Sequence, residues 1–191
     1  VKQVQAAGKV LPNATLDFER LKTMNADVNY KVVDVRNAGA FPLDRFDARI
    51  LLKDGVLQLD PLDMGMAGGR LAGLVRIDAN SKPALVQARL EARMLQLNQL
   101  FPRIERTEGS LGKLNGRIDL TGRGNSGAQV LGSSSGSVAL LMGRGQVSNI
   151  LLEFMGLDGG EIIKFLASGD RNVTLRCAAA AFDVKQGLMT S

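Results

Sequence analysis

Apolar and polar residues alternate with period two along most of this chain, and that repeat places one apolar face on strand after strand. Between Met24 and Val32, Met24, Ala26, Val28, Tyr30 and Val32 share one face, while Asn25, Asp27, Asn29 and Lys31 take the other. The preceding LDFER reads as a further extended piece, with Leu16 and Phe18 against Asp17 and Glu19. The run Phe46 to Leu52 passes through Lys53-Asp54-Gly55 into VLQLD, a hairpin signal, because Asp-Gly supplies the positive φ angles of a tight turn. PLDMGMA then groups Leu62, Met64 and Met66, and after a Gly68-Gly69 turn RLAGLVRID sets Leu71, Val75 and Ile77 opposite Arg70, Arg76 and Asp78. A strand from Ala84 to about Met94 follows, with Val86, Ala88, Leu90 and Ala92 opposite Gln87, Arg89, Glu91 and Arg93. Strands in such an order form a meander.

LNQLFPR predicts a helical turn, and a second half begins beyond it. Leu114, Ile118 and Leu120 alternate with Asn115, Arg117 and Asp119; a short helix is expected over 126–133, then strands at 137–142 and 145–148 around Gly143-Arg144. The strongest helical spacing comes next, in Ile150, Leu151, Phe154 and Met155, then Ile162, Ile163 and Leu166, with Asp158 and Glu161 as a capping signal after a Gly-Gly break. Residues 172–181 and 182–185 return to sheet. The fold class expected is mainly β with a few short helices: an elongated, curved antiparallel meander forming an apolar groove, capped by a helix near 150–167. Its strands divide into a first run over 1–105 and a second over 106–191, expected to join in one continuous sheet.

Composition narrows the chemistry. With 191 residues, 45% hydrophobic and 23% charged, the chain is long and apolar enough to bury a core. A net charge of +5 favours anionic partners, but Lys and Arg are interleaved with Asp and form no basic block. There is no histidine, which removes Ser-His-Asp and Cys-His catalysis and histidine-based zinc sites. Cys177 is alone, and its parity with Val173 and Leu175 predicts a small buried hydrophobe. Neither a signal peptide nor an uninterrupted run of roughly 20 apolar residues is present. A start at VKQVQ and a stop at QGLMTS lead us to expect a fragment of a longer protein.

Several motifs carry a functional and a plainer reading. TGRGNSGAQ is glycine-rich but lacks the GK[ST] of a phosphate loop, so a turn and helix start is expected. Asp60 and Asp63 form a carboxylate pair suited to acid/base work only if a pocket raises one of them; on polar parity around Pro61 they read as solvated. LDGGE has too few spaced oxygens for calcium. Arg103, Arg106, Lys113, Arg117 and Arg123 can touch nucleic acid, but with aromatics at 4% there are few stacking platforms, and a solvated basic face is the preferred reading. No catalytic residue, metal or cofactor is predicted, and the protein is read as a non-enzyme.

What stands out is the apolar face, built from small or flexible residues and matched by little helix. Packing against a second sheet is the ordinary way to bury such a face. An uncovered apolar strip is a binding surface. FDARILLKDGVLQLDPLDMGMAGGRLAGLVRIDA, LQLNQLF, EGSLGKLNGRIDLTGRGNS and SGSVALLMGRGQVSNILLEFMGLD, in that order, resemble the carboxy-terminal region of the AsmA family of bacterial envelope proteins, over nearly the whole chain. The resemblance implies an inner-membrane-anchored periplasmic protein with a curled sheet, apolar inside, that serves outer-membrane biogenesis; relatives are proposed to conduct phospholipid. The anchor would lie outside this sequence. Met64, Met66, Val75, Val86, Leu90, Ile118, Val138 and Leu140 are then the expected lining for phospholipid or other acyl lipid. The alternative is a structural or regulatory envelope module whose edges bind other envelope proteins.

Overall fold

In the computed structural model, which describes residues 16–35, 43–100, 112–148 and 172–190, the chain is mainly antiparallel sheet. The strands are β1 (Ala26–Val32), β2 (Leu43–Lys53), β3 (Val56–Met66), β4 (Gly69–Asp78), β5 (Leu85–Gln96), β6 (Lys113–Arg123), β7 (Ser135–Met142), β8 (Gly145–Ser148), β9 (Asn172–Leu175), β10 (Ala178–Lys185) and β11 (Leu188–Thr190). Nine of them form one open sheet in the order β1-β2-β3-β4-β5-β6-β7-β10-β11. β8 and β9 pair separately as a two-stranded ribbon. The strands expected at 137–142 and 145–148 around Gly143-Arg144 both occur, but they do not pair with each other; β10 takes the place beside β7.

Tight turns fix the register. Asp54-Gly55, Ala67-Gly68 and Gln186-Gly187 each have two successive positive φ angles, the geometry of a type I′ hairpin. The β3–β4 turn thus sits one residue before the Gly68-Gly69 pair expected from the sequence, since Ala67 accepts φ 49° and leaves Gly69 to open β4.

LDFER is not a strand. Phe18–Lys22 forms a 3-10 helix along the rim of the sheet: the Leu16 amide donates to the Asn125 carbonyl (2.7 Å), Glu19 pairs with Lys82, and Lys22 lies against Gly55. The alternation in LDFER covers too few residues to outweigh the local pairs Arg20–Asp17 and Lys22–Glu19, which sit at helical spacing.

Two short helices were anticipated and occur: α1 (Leu97–Leu100) and α2 (Gly127–Gly132). Ser126 caps α2 by accepting a hydrogen bond from the Gln129 amide. This resolves the glycine-rich segment as turn and helix start. The helix expected at 150–167 lies outside the described residues. Cys177 is exposed, against expectation, because the apolar run breaks at Arg176-Cys177 between β9 and β10 and leaves the thiol at a junction.

Candidate functional site

Cross-strand partners share a face, so the register shows which side chains meet. One row runs Tyr30, Ala48, Leu62, Gly73, Leu90, Ile118, Val138 and Phe182. A neighbouring row runs Val28, Ile50, Leu59, Val75, Ala88, Leu120, Gly136, Val184 and Met189. A third, on the other side of the first, contains Val32, Phe46, Met64, Leu71, Ala92, Gly116, Leu140 and Ala180. No charged residue interrupts any of them. All the residues named from the sequence as lining, Met64, Met66, Val75, Val86, Leu90, Ile118, Val138 and Leu140, fall on this face.

Two irregularities keep the face unbroken. In β3 the apolar parity changes from Leu57 and Leu59 to Leu62, Met64 and Met66, and a bulge at Asp60-Pro61 absorbs the extra residue, so that both sets face the same way. Pro61 suits the site because it has no amide to donate to a ladder. In β5, Arg93 and Met94 stand opposite the single residue Asn115, which returns Leu95 to the face of Ala92. Met94 takes φ 58°, and the Asn115 side-chain oxygen accepts its amide at 3.0 Å. Gly69 makes this second bulge possible, since a Cβ there would strike the backbone of Arg93, Met94 and Leu95.

The face is partly covered. At one rim Leu97 of α1 packs with Met142, joined by Leu100, Leu114 and Ala178. At the other, the α2 backbone at Val130 rests where a side chain on Gly122 would stand. Between the rims Val138 is buried, whereas Val75, Val86, Leu90, Ile118 and Leu140 are half-buried. Towards the sheet edges Val28 is 46% exposed, Tyr30 50% and Met189 60%, so the apolar surface reaches solvent at both ends.

The opposite face is a lattice of ion pairs. Arg70 grips Asp63 with two hydrogen bonds of 2.9 and 2.8 Å, and Arg45 reaches the same carboxylate at 3.4 Å across Gly65. Arg49 donates from Nε and Nη2 to the two oxygens of Asp27, Arg89 meets Asp119 at 3.2 Å, and Arg93 meets Glu91. The Arg70 hydrogen bonds, with the Arg70 and Arg45 charges behind them, hold the Asp63 carboxyl below its ordinary range. Asp63 is therefore an ionised partner, unsuited to act as an acid near neutral pH, and Asp60 is exposed. A cavity of about 510 Å³ opens on this polar face among Arg70, Arg89, Arg93, Arg117, Glu91 and Asp119. Sequence reading missed it: parity placed these residues on one side, but only the β5 bulge and the register bring them together.

Among the described residues no helix is long and apolar enough to cross a membrane, and no group of three or more Cys, Asp or Glu is placed to hold a metal ion. No solved structure matches the chain. It is 38% identical over 187 residues to "AsmA family protein YhjG" of Escherichia coli (strain K12), an alignment that covers 98% of this chain and 27% of that relative's length. The AsmA family model matches residues 1–191, and with that match, on an open antiparallel sheet of this kind, the chain belongs to the AsmA family.

Proposed function

We propose that this chain is the lipid-handling sheet of a larger, inner-membrane-anchored envelope protein in the periplasm. In this reading it acts in outer-membrane biogenesis by holding or conducting phospholipid acyl chains along its apolar face, without catalysis. The observation that carries the reading is the charge-free face running through nine strands and still open at Val28, Tyr30 and Met189. At about 4.8 Å per strand, such a face extends roughly 40 Å across the sheet. Burying an acyl chain at about 0.8 kcal/mol per CH2 favours sequestration by roughly 10 kcal/mol, before the loss of chain freedom is counted. Membership of the AsmA family supports the envelope setting.

The test uses Val75, half-buried at mid-strand. With a phospholipid carrying a photo-crosslinker on its acyl chain, the wild type should be labelled. Val75→Asp should stay folded, because its carboxylate can hydrate on an open face, and should lose most of the labelling. Capture that never occurs in the wild type would refute the reading, as would equal labelling of a folded Val75→Asp.

A further inference from the structure

The cavity opens among the charged residues of the polar face; of the apolar rows, Gly73, Leu90 and Ile118 border it. Four guanidiniums from three adjacent strands line it: Arg70 of β4, Arg89 and Arg93 of β5, and Arg117 of β6. Glu91 and Asp119 share the lining and Asp63 holds Arg70 from β3, so three carboxylates offset the four guanidiniums and one positive charge is in excess. Room for the cavity comes in part from Ala72 on β4, whose short side chain fills little of the space beside its partner Glu91 on β5.

The charges are also placed as an anion would want them. Arg70 and Arg93 are direct cross-strand partners, an arrangement in which like charges repel. Each is turned away from the other: Arg70 holds Asp63 on β3, and Arg93 holds Glu91 on its own strand. Among the described residues Arg117, the cross-strand partner of Glu91, makes no hydrogen bond or close ion pair; its charge acts on the Glu91 carboxyl, and its donors remain open to a ligand. Guanidiniums bind phosphate oxygens two at a time, and a phosphoryl group carries at least one negative charge near neutral pH, which the surplus offsets. The volume exceeds what a bare phosphate fills and leaves space for the group that bears it.

We infer that this recess, between Arg70, Arg93 and Arg117, is a binding site for a phosphoryl group, presented either by a lipid headgroup or by a soluble phosphate. The ligand would engage Arg117 and the donors of Arg70 and Arg93 that Asp63 and Glu91 leave open.

Phosphorus NMR titration of inorganic phosphate against the 191-residue chain, in 150 mM sodium chloride to screen weak surface attraction, tests the site. Saturable binding is expected. It should weaken about tenfold in Arg117→Gln, as expected when one charged hydrogen-bond donor is lost, and further when Arg93→Gln is added. Arg76→Gln, on the same face outside the recess, should bind as the wild type does. Circular dichroism of each variant should match the wild type, since Arg117 has no close ion pair among the described residues and the Arg93–Glu91 pair is open to solvent. A parallel arm measures sedimentation with phosphatidylglycerol and with phosphatidylcholine vesicles. Pelleting with the former, competed by inorganic phosphate and lost in Arg117→Gln, assigns the headgroup; saturable phosphate binding without pelleting assigns the soluble source. No saturable phosphate binding, or equal weakening by Arg76→Gln, would overturn the inference. None of these readouts depends on acyl-chain capture at Val75.

Discussion

The two faces of the sheet are made by the same strands, one residue apart, and they respond to substitution in opposite ways. On the apolar face a side chain owes its position to rows of neighbours that exclude water, as with Ala48 at 1% exposure and Leu62 at 4%. On the polar face Arg49, Asp27, Arg89 and Asp119 are about half exposed or more, so their ion pairs hold register without adding much stability. A pleat separates greasy from charged surface only while the register holds; one slip of a single residue exchanges the faces. The bulges at Asp60-Pro61 and Arg93-Met94 are what prevent that exchange in β3 and β5.

The largest effect should follow from a charge placed on the covered part of the apolar face. Val138 is 8% exposed, between Ile118 and Phe182 in its row. Val138→Asp should lose roughly 3 to 5 kcal/mol by denaturant unfolding, or hold its carboxyl protonated well above the usual range. Its neighbour Ser137 is exposed on the polar face beside Asp119 and Asp183, and Ser137→Asp should change stability by less than about 1 kcal/mol. Equal losses at the two positions would show that the second face is covered as well.

Breaking a bulge comes next. Gly69→Val would push a side chain into the backbone of Arg93, Met94 and Leu95, so β4 and β5 must separate locally or slip. A loss of roughly 2 to 4 kcal/mol is expected, with altered amide exchange confined to the Leu95 end of β5. Asn115→Ala acts on the same bulge from β6. It removes the acceptor of the Met94 amide and should cost about 1 kcal/mol. A Gly69→Val protein as stable as the wild type would mean that this bulge does not set the register.

These bulges mark where the sequence stops being legible. Period two identified the strands at 24–32, 46–52 and 84–94 and put Val75, Leu90, Ile118 and Val138 on one side, because alternation over many residues has a single extended solution. The change of parity between Leu59 and Leu62 was visible as a list of residues, but only the pairing with β2 and β4 shows both halves facing the same way. The same limit hid the arginine recess, whose members lie on three strands and are joined by register alone. LDFER failed for a different reason: a few alternating residues carry less information than the rim contacts that wind them into a 3-10 turn. Cys177 failed because parity cannot see a strand break.

The smallest effect belongs to the polar lattice and separates the faces by pH. Asp63 accepts from Arg70 and lies near Arg45, and those contacts hold its carboxyl below the ordinary value of 3.8. A carboxyl whose folded pKa is depressed adds stability that is complete above the unfolded value and fades as pH falls through the folded one. Its contribution should therefore be constant from neutral pH down to about pH 5 and decline below about pH 4. With Asp63 26% exposed and Arg70 48% exposed, the total should stay near or below about 1 kcal/mol. Asp63→Asn should lower stability by that small amount at pH 7 and by less at pH 3, below the ordinary value, where the carboxyl of the unfolded chain is already protonated. Added salt should narrow the difference between wild type and variant at pH 7, because both partners are open to solvent. The cost of Val138→Asp should keep its sign at high salt, since it arises from taking a carboxyl out of water. Urea titrations of both variants at low and high salt measure the contrast directly, and a salt-insensitive Asp63→Asn would show that the polar face is also dry.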